Sequence, residues 1–159
     1  MKKILEENGF HGFKTIKELQ DDIDIVPTYG GVYILLRLKD DKPIFLKKGT
    51  GGFYKNTDPN VAIQKLEAKW IEDSPIVYIG KAEKTDKRNL RVRLDEYMQF
   101  GQGAPVPHKG GRYIWQLKDA SDLLVCWKQI KGNAEQEEKR MILAFKERYG
   151  KYPFANLRL

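Results

Sequence analysis

Three short apolar runs constrain this chain more than any other feature: GVYILLRL at 31–38, IVYIGK at 76–81 and LLVCWKQI at 123–130. Each is rich in β-branched and aromatic residues and runs for strand length between turn-forming neighbours, so each reads as a strand. Between them lie stretches with helical spacing, few of them long. The expected class is therefore α+β, a small central mixed or antiparallel sheet flanked by helices.

The helical stretches announce their ends. TIKELQDDI (15–23) places Thr15 and Glu18 at capping-box spacing and keeps Ile16, Leu19 and Ile23 on one face. Asp58-Pro59 starts a helix with Ile63, Leu66 and Trp70 aligned, and a helix over 87–100 carries the stripe Leu90, Leu94 and Tyr97. Asn133 caps a last helix that ends at Gly150, with Pro153 just beyond. IFLKK, over 43–48, reads as an additional strand after the KDDKP turn, and 101–111 as a loop. RYIWQL (112–117) suits a strand or a short helix equally. GTGG at 49–52 lacks the Lys-Ser/Thr ending of a phosphate-binding loop. No repeat and no linker divides the 159 residues, so one domain is expected over 1–159.

Composition narrows the class. No apolar stretch approaches the ~18 residues of a membrane helix, and MKKILEENGFHGF holds no signal-peptide core. A single cysteine, Cys126, forms no internal disulfide, which suits a cytoplasmic protein. Two histidines and one cysteine argue against zinc. A net charge of +7 permits a polyanionic partner.

Polar residues inside apolar stripes point to chemistry. At about 100° per residue, Ala134, Met141, Ile142, Phe145 and Tyr149 gather on one side of the last helix, and Glu138 falls within roughly 20° of their centre. Glu135 and Glu137 lie on the flanks and read as solvated. A carboxylate in such a place needs a cation, a metal or a hydrogen-bond network. Arg93 borders the Leu90/Leu94/Tyr97 stripe on one side and Arg91 on the other. Either can snorkel to solvent, pair with a carboxylate, or meet a phosphate bidentately, while a lone carboxylate can hold a hydrated Mg²⁺. Alternation sets Tyr78 opposite to Val77 and Ile79, and Lys81 supplies a nearby cation. Two strand tyrosines with an arginine, a lysine and a central glutamate suggest phosphodiester chemistry.

GVY at 31–33 and VYIGKA at 77–82 resemble the two halves of the GIY-YIG nuclease signature. LRVRLDEY (90–97), EKRMI (138–142) and GKYPFAN (150–156) resemble, in order, the family's arginine helix, glutamate helix and asparagine segment. The resemblance implies a metal-dependent endonuclease that hydrolyses phosphodiester bonds in DNA (RNA not excluded), leaving 5′-phosphate and 3′-hydroxyl ends. It implies Tyr33 as general base or positioner of the attacking water, Tyr78 as a lining phenol, Arg93 rather than Arg91 on the scissile phosphate, and Lys81 beside it. Glu138 would be the single protein ligand of Mg²⁺ or Mn²⁺, and Asn156 would support the site.

Departures from the family pattern add expectations. Positions 34–76 separate the two tyrosine motifs, so an insertion of about 39–75 is expected, with Lys47, Lys48 and Lys55 placed among glycines to track a nucleic-acid backbone. Arg91 is a further nucleic-acid contact, and Gly31 and Gly80, with Gly30, would let the chain approach substrate closely. His108 would act as an acid or orient the phosphate. Trp115 reads as core rather than a base-stacking platform. Rival readings are a non-cleaving nucleic-acid-binding module of the same fold and a basic protein-interaction domain. Sequence specificity would come from the insertion, from a partner protein, or be absent, and a homodimer cutting both strands is a further expectation left open.

Overall fold

The computed structural model describes residues 1–108 and 110–157. Local signals set several element ends. Thr15 Oγ1 accepts from the Glu18 N–H and Glu18 Oε1 accepts from the Thr15 N–H, both at 3.1 Å, which starts helix α2 (Ile16–Asp21) with a reciprocal cap. Asn89 and Asn133 accept from the N–H groups of Val92 and Gln136 and start α4 (Leu90–Gly101) and α5 (Ala134–Tyr149). Gly150, at φ 77, closes α5 in the left-handed conformation. A first helix, α1 (Lys2–Glu7), and α3 (Ile63–Lys69) complete the set, with short 3₁₀ turns at Ile23–Ile25, Arg112–Gln116 and Ala120–Asp122. No helix among the described residues is long and apolar enough to cross a membrane.

The sheet has four strands, β1 (His11–Thr15), β2 (Gly31–Leu36), β3 (Ile76–Ala82) and β4 (Leu124–Gln129), in the order β1-β4-β2-β3. Every neighbouring pair is antiparallel, so the mixed alternative is excluded for these strands. The three apolar runs form the adjacent strands β4, β2 and β3. The fourth, HGFKT, carries no apolar run, and its alternation is broken by an irregular register between Gly12 and Lys14, where Gly12 and Phe13 both have positive φ. The expected strand over 43–48 does not form. Phe45 makes one isolated bridge to Leu117, and Leu46 exchanges backbone and side-chain bonds with Gln116 instead. RYIWQL is 3₁₀ helix over Arg112–Gln116.

Side chains leave the sheet on two sides. Tyr33, Leu35, Tyr78, Val125 and Trp127 join α4 residues Leu90, Leu94 and Tyr97 in one core. Val32, Ile34, Ile79 and Cys126 meet Ile142 of α5 in a second. Val77 joins Tyr78's core rather than Ile79's, contrary to simple alternation. The register slips there: Leu35 faces Tyr78, Leu36 faces Ile76, and Val77 is the extra residue.

The insertion begins at buried Arg37, whose Nε donates to Asp119 at 3.0 Å and whose Nη1 donates to the Asp41 carbonyl at 2.8 Å. Its far end docks through Phe45 and Trp70, whose rings pack on Phe154 at 5.6 and 5.0 Å. The C-terminal segment covers the outer edge of β3. The Ala155 N–H bonds the Val77 carbonyl, and the Asn156 side chain exchanges two 2.9 Å hydrogen bonds with the backbone of Ile79. Among the described residues, the bonds of this segment to β3 end at Ile79.

Candidate active site

A cleft of about 470 Å³ opens beside β3. It brings together Tyr33, Tyr78, Lys81, Arg93 and Glu138 from four elements. The sheet delivers the first of these by a specific device. Tyr33 and Gly80 are register partners on β2 and β3, and a Cβ at Gly80 would sit 2.5 Å from the Tyr33 hydroxyl oxygen. The phenol therefore lies across Gly80 toward the open edge, a path that only glycine leaves free. Glu138 comes from α5 on the opposite face, yet faces the same cleft because the edge strand is where both faces meet.

The phenols form a buried group. Tyr33 packs at ring-centroid distances of 6.0 Å from Tyr78 and 6.5 Å from Tyr97, and Tyr97 donates its hydroxyl to the Gly111 carbonyl at 2.6 Å. Burial pushes Tyr33 up to about 12; Glu138's charge adds to this and Arg93's opposes it. Tyr78 and Tyr97 are also held well above the ordinary phenol range, chiefly by burial. The Tyr33 hydroxyl lies close enough to Tyr78 and Arg93 to feel both, yet makes no well-formed hydrogen bond among the described residues. A buried polar atom of this kind awaits a partner.

The charged groups differ in how they are held. Lys81 Nζ lies 3.6 Å from Glu83 and Arg93 Nη1 lies 3.4 Å from Glu96, in partly exposed pairs of little intrinsic strength. Glu138 is half-buried and makes no ion pair among the described residues. Burial raises its carboxyl above the ordinary range; Lys81 and Arg93 pull it back and Glu135 adds to the rise. No cluster of three or more His, Cys, Asp or Glu suited to a metal exists among the described residues. A single hard oxygen donor facing an open cleft suits Mg²⁺, which keeps several waters and needs only one or two carboxylates plus substrate phosphate.

The remaining sequence expectations land elsewhere. Asn156 does not line the cleft; it clamps Ile79, between Tyr78 and Gly80. Arg91 turns away from it, donating to the Val26 carbonyl at 2.7 Å and the Asp24 carbonyl at 3.1 Å. His108 is completely buried rather than reaching the cleft. Its ring stacks on Tyr97 at 4.1 Å, and neither nitrogen has a well-formed hydrogen bond among the described residues. Burial, then Arg93, hold it well below the ordinary imidazole range, with a weaker opposing contact from the Gly110 backbone. It stands neutral behind the wall, and its neighbour Pro107 lines the cleft. Gly31 is buried where a Cβ would come within 2.9 Å of the Lys128 carbonyl carbon, so its smallness serves β4. At Gly30 the crowding atoms belong to the backbone of 83–84. Lys47, Lys48 and Lys55 are exposed on the insertion and do not line the cleft. Trp115 is core.

Lys87, Arg88 and Glu96 also line the cleft and were not singled out from sequence. The cationic pair was visible in EKTDKRN, just ahead of the Asn89 cap. Glu96 was visible only as the residue one turn after Arg93.

Fold and cleft together define an α+β domain with a phenol-, cation- and carboxylate-lined site at an open sheet edge. No protein-family model matches the chain, and no match emerges among curated proteins or among solved structures.

Proposed function

We propose that this chain is a metal-dependent endonuclease that hydrolyses phosphodiester bonds, with DNA as its substrate, through a GIY-YIG-type site. One observation carries this reading: Tyr33, Tyr78, Lys81, Arg93 and an unpaired Glu138 converge on one cleft from both faces of the sheet. Neither protein binding nor passive binding of nucleic acid needs a half-buried carboxylate that makes no ion pair among the described residues.

Arg93 holds the scissile phosphate, where its planar guanidinium matches two phosphate oxygens and offsets charge that builds during attack. Lys81, Lys87 and Arg88 neutralise the neighbouring backbone. Tyr33 keeps its proton at neutral pH, so its hydroxyl orients the attacking water rather than serving as the resting base. Tyr78 fills the space beside that water and hydrogen-bonds water or phosphate. Glu138 is the residue that would hold Mg²⁺ or Mn²⁺, an ion that supplies Lewis-acid help to phosphate oxygens.

The test is to incubate supercoiled plasmid, single strands, branched junctions and RNA with the protein in Mg²⁺, Mn²⁺ or EDTA. Metal-dependent cutting that leaves 5′-phosphate ends is expected. Absence of any cut product with metal would overturn the reading.

A further inference from the structure

The insertion carries three lysines that do not line the cleft. Lys47, Lys48 and Lys55 are exposed, and none has an acidic partner within ion-pair distance among the described residues. Between them stands Phe53, 52% exposed, an unusual state for so large an apolar ring. One such ring alone is ordinary on a protein surface; here it shares a fixed loop with three exposed lysines, of which Lys55 lies over the neighbouring Tyr54 ring at 5.4 Å.

The loop is held firmly from behind. The Thr50 N–H bonds the Trp115 carbonyl at 3.1 Å, the Gly52 N–H bonds the Phe100 carbonyl at 2.9 Å, and the Gly49 N–H bonds Asn60 Oδ1 at 2.8 Å. A Cβ at Gly52 would come within 2.8 Å of the Ala104 carbonyl carbon, so the backbone lies tight against the domain. Lys55 and Asn56, at φ 52 and 60, then turn the chain back, with the Thr57 N–H bonding the Tyr54 carbonyl at 3.0 Å. Phe53 is thus presented outward by a fixed scaffold.

The anchors also locate the loop. Phe100 stands in the last turn of the helix whose first turn carries Arg93, and about 10 Å of helix axis separates the two. Ala104 begins the segment that reaches the cleft wall at Pro107. The loop's anchors thus sit on the helix and the connection that also build the cleft wall.

Taking the cleft as a phosphodiester site, we propose that loop 47–57 is a platform for unpaired nucleotides: Phe53 stacks on an exposed base while Lys47, Lys48 and Lys55 meet the flanking phosphates. Bases in a duplex hide their faces, whereas those of single strands, frayed ends and branch points offer them to an aromatic ring. The substrate class that follows is nucleic acid with unpaired bases beside the cut.

The experiment measures fluorescence anisotropy of a labelled oligothymidylate of about 15 nucleotides and of a blunt duplex of equal length, in EDTA. Phe53→Ala is expected to weaken single-strand binding about tenfold and duplex binding less than about twofold, with Phe53→Trp restoring the single-strand affinity. Replacing Lys47, Lys48 and Lys55 together by glutamine is expected to flatten the salt dependence of single-strand binding by a slope of about 2. Unchanged single-strand affinity in Phe53→Ala, or equal loss for both probes, overturns the platform. Phe53-dependent binding by a protein that cuts nothing in Mg²⁺ would sustain the platform and sink the cleavage reading. Cutting without Phe53 dependence would do the reverse.

Discussion

Gly80→Ala tests how the sheet presents Tyr33. The added Cβ would lie 2.5 Å from the Tyr33 hydroxyl oxygen and closer still to the ring carbon that bears it, against an ordinary contact of about 3.5–4.0 Å. The ring must move by about 1 Å, and it has little room. Tyr33 is completely buried, with Tyr78 and Tyr97 against it. Overpacking of this kind costs about 1–3 kcal/mol, or roughly 2–12 °C in Tm for a chain of this size. A displacement of about 1 Å at a positioning group costs about 10²-fold in rate. Thermal unfolding and plasmid nicking would be measured for Gly80→Ala, Tyr33→Leu and the double variant. Because leucine is shorter, Gly80→Ala should cost much less in the Tyr33→Leu background, a coupling of about 1 kcal/mol or more, while nicking stays lost. A Gly80→Ala protein that melts and cuts like the parent would refute the crossing of Tyr33 over Gly80.

Four further outcomes follow from the same geometry. Asn156→Ala strands the Ile79 N–H and carbonyl, two buried groups, and should cost about 2–4 kcal/mol in denaturant unfolding. Arg93→Ala should slow cleavage about 10²–10³-fold with little change in Tm. Arg91→Ala should do the opposite, losing about 1–2 kcal/mol of stability through its bonds to Val26 and Asp24 while cleavage persists. Glu138 titrates above its ordinary value of 4.5, chiefly through burial, so between that value and the raised folded pKa the folded chain binds more proton than the unfolded chain. Its contribution is complete below that value and is lost as pH rises through the elevated folded pKa. Glu138→Gln should therefore match the parent's Tm at acid pH and exceed it at neutral pH; a large drop at neutral pH would favour a structural ion pair.

Local signals were the most legible. Thr15 and Glu18 needed only each other to mark a helix start, and Asn133 and Gly150 bracketed α5 in the same way. β2, β3 and β4 were readable because strands buried on both sides must be apolar throughout. HGFKT was not, since its pairing depends on β4 and on a bulge that no periodicity encodes. IFLKK had strand composition, but its backbone bonds go to Gln116 and Lys118, from Leu46 and Ile44, rather than to a sheet strand. Glu138 was legible because a helix repeats every 3.6 residues and a carboxylate in an apolar stripe stands out. Arg91 and Arg93 looked alike in the helical pattern; only the position of the 24–26 turn separates their roles. His108 was misplaced because a loop histidine carries no periodicity, and its burial arises from the long-range stack on Tyr97.

The most direct measurement compares the parent and Glu138→Gln, each first shown to be folded by its melting curve, for conversion of supercoiled plasmid to nicked or linear form in Mg²⁺. The parent should cut, EDTA should abolish the cutting, and Glu138→Gln should remain folded and inactive. A folded Glu138→Gln protein that cuts as fast as the parent would contradict the assignment of the cleft as a metal-dependent nuclease site.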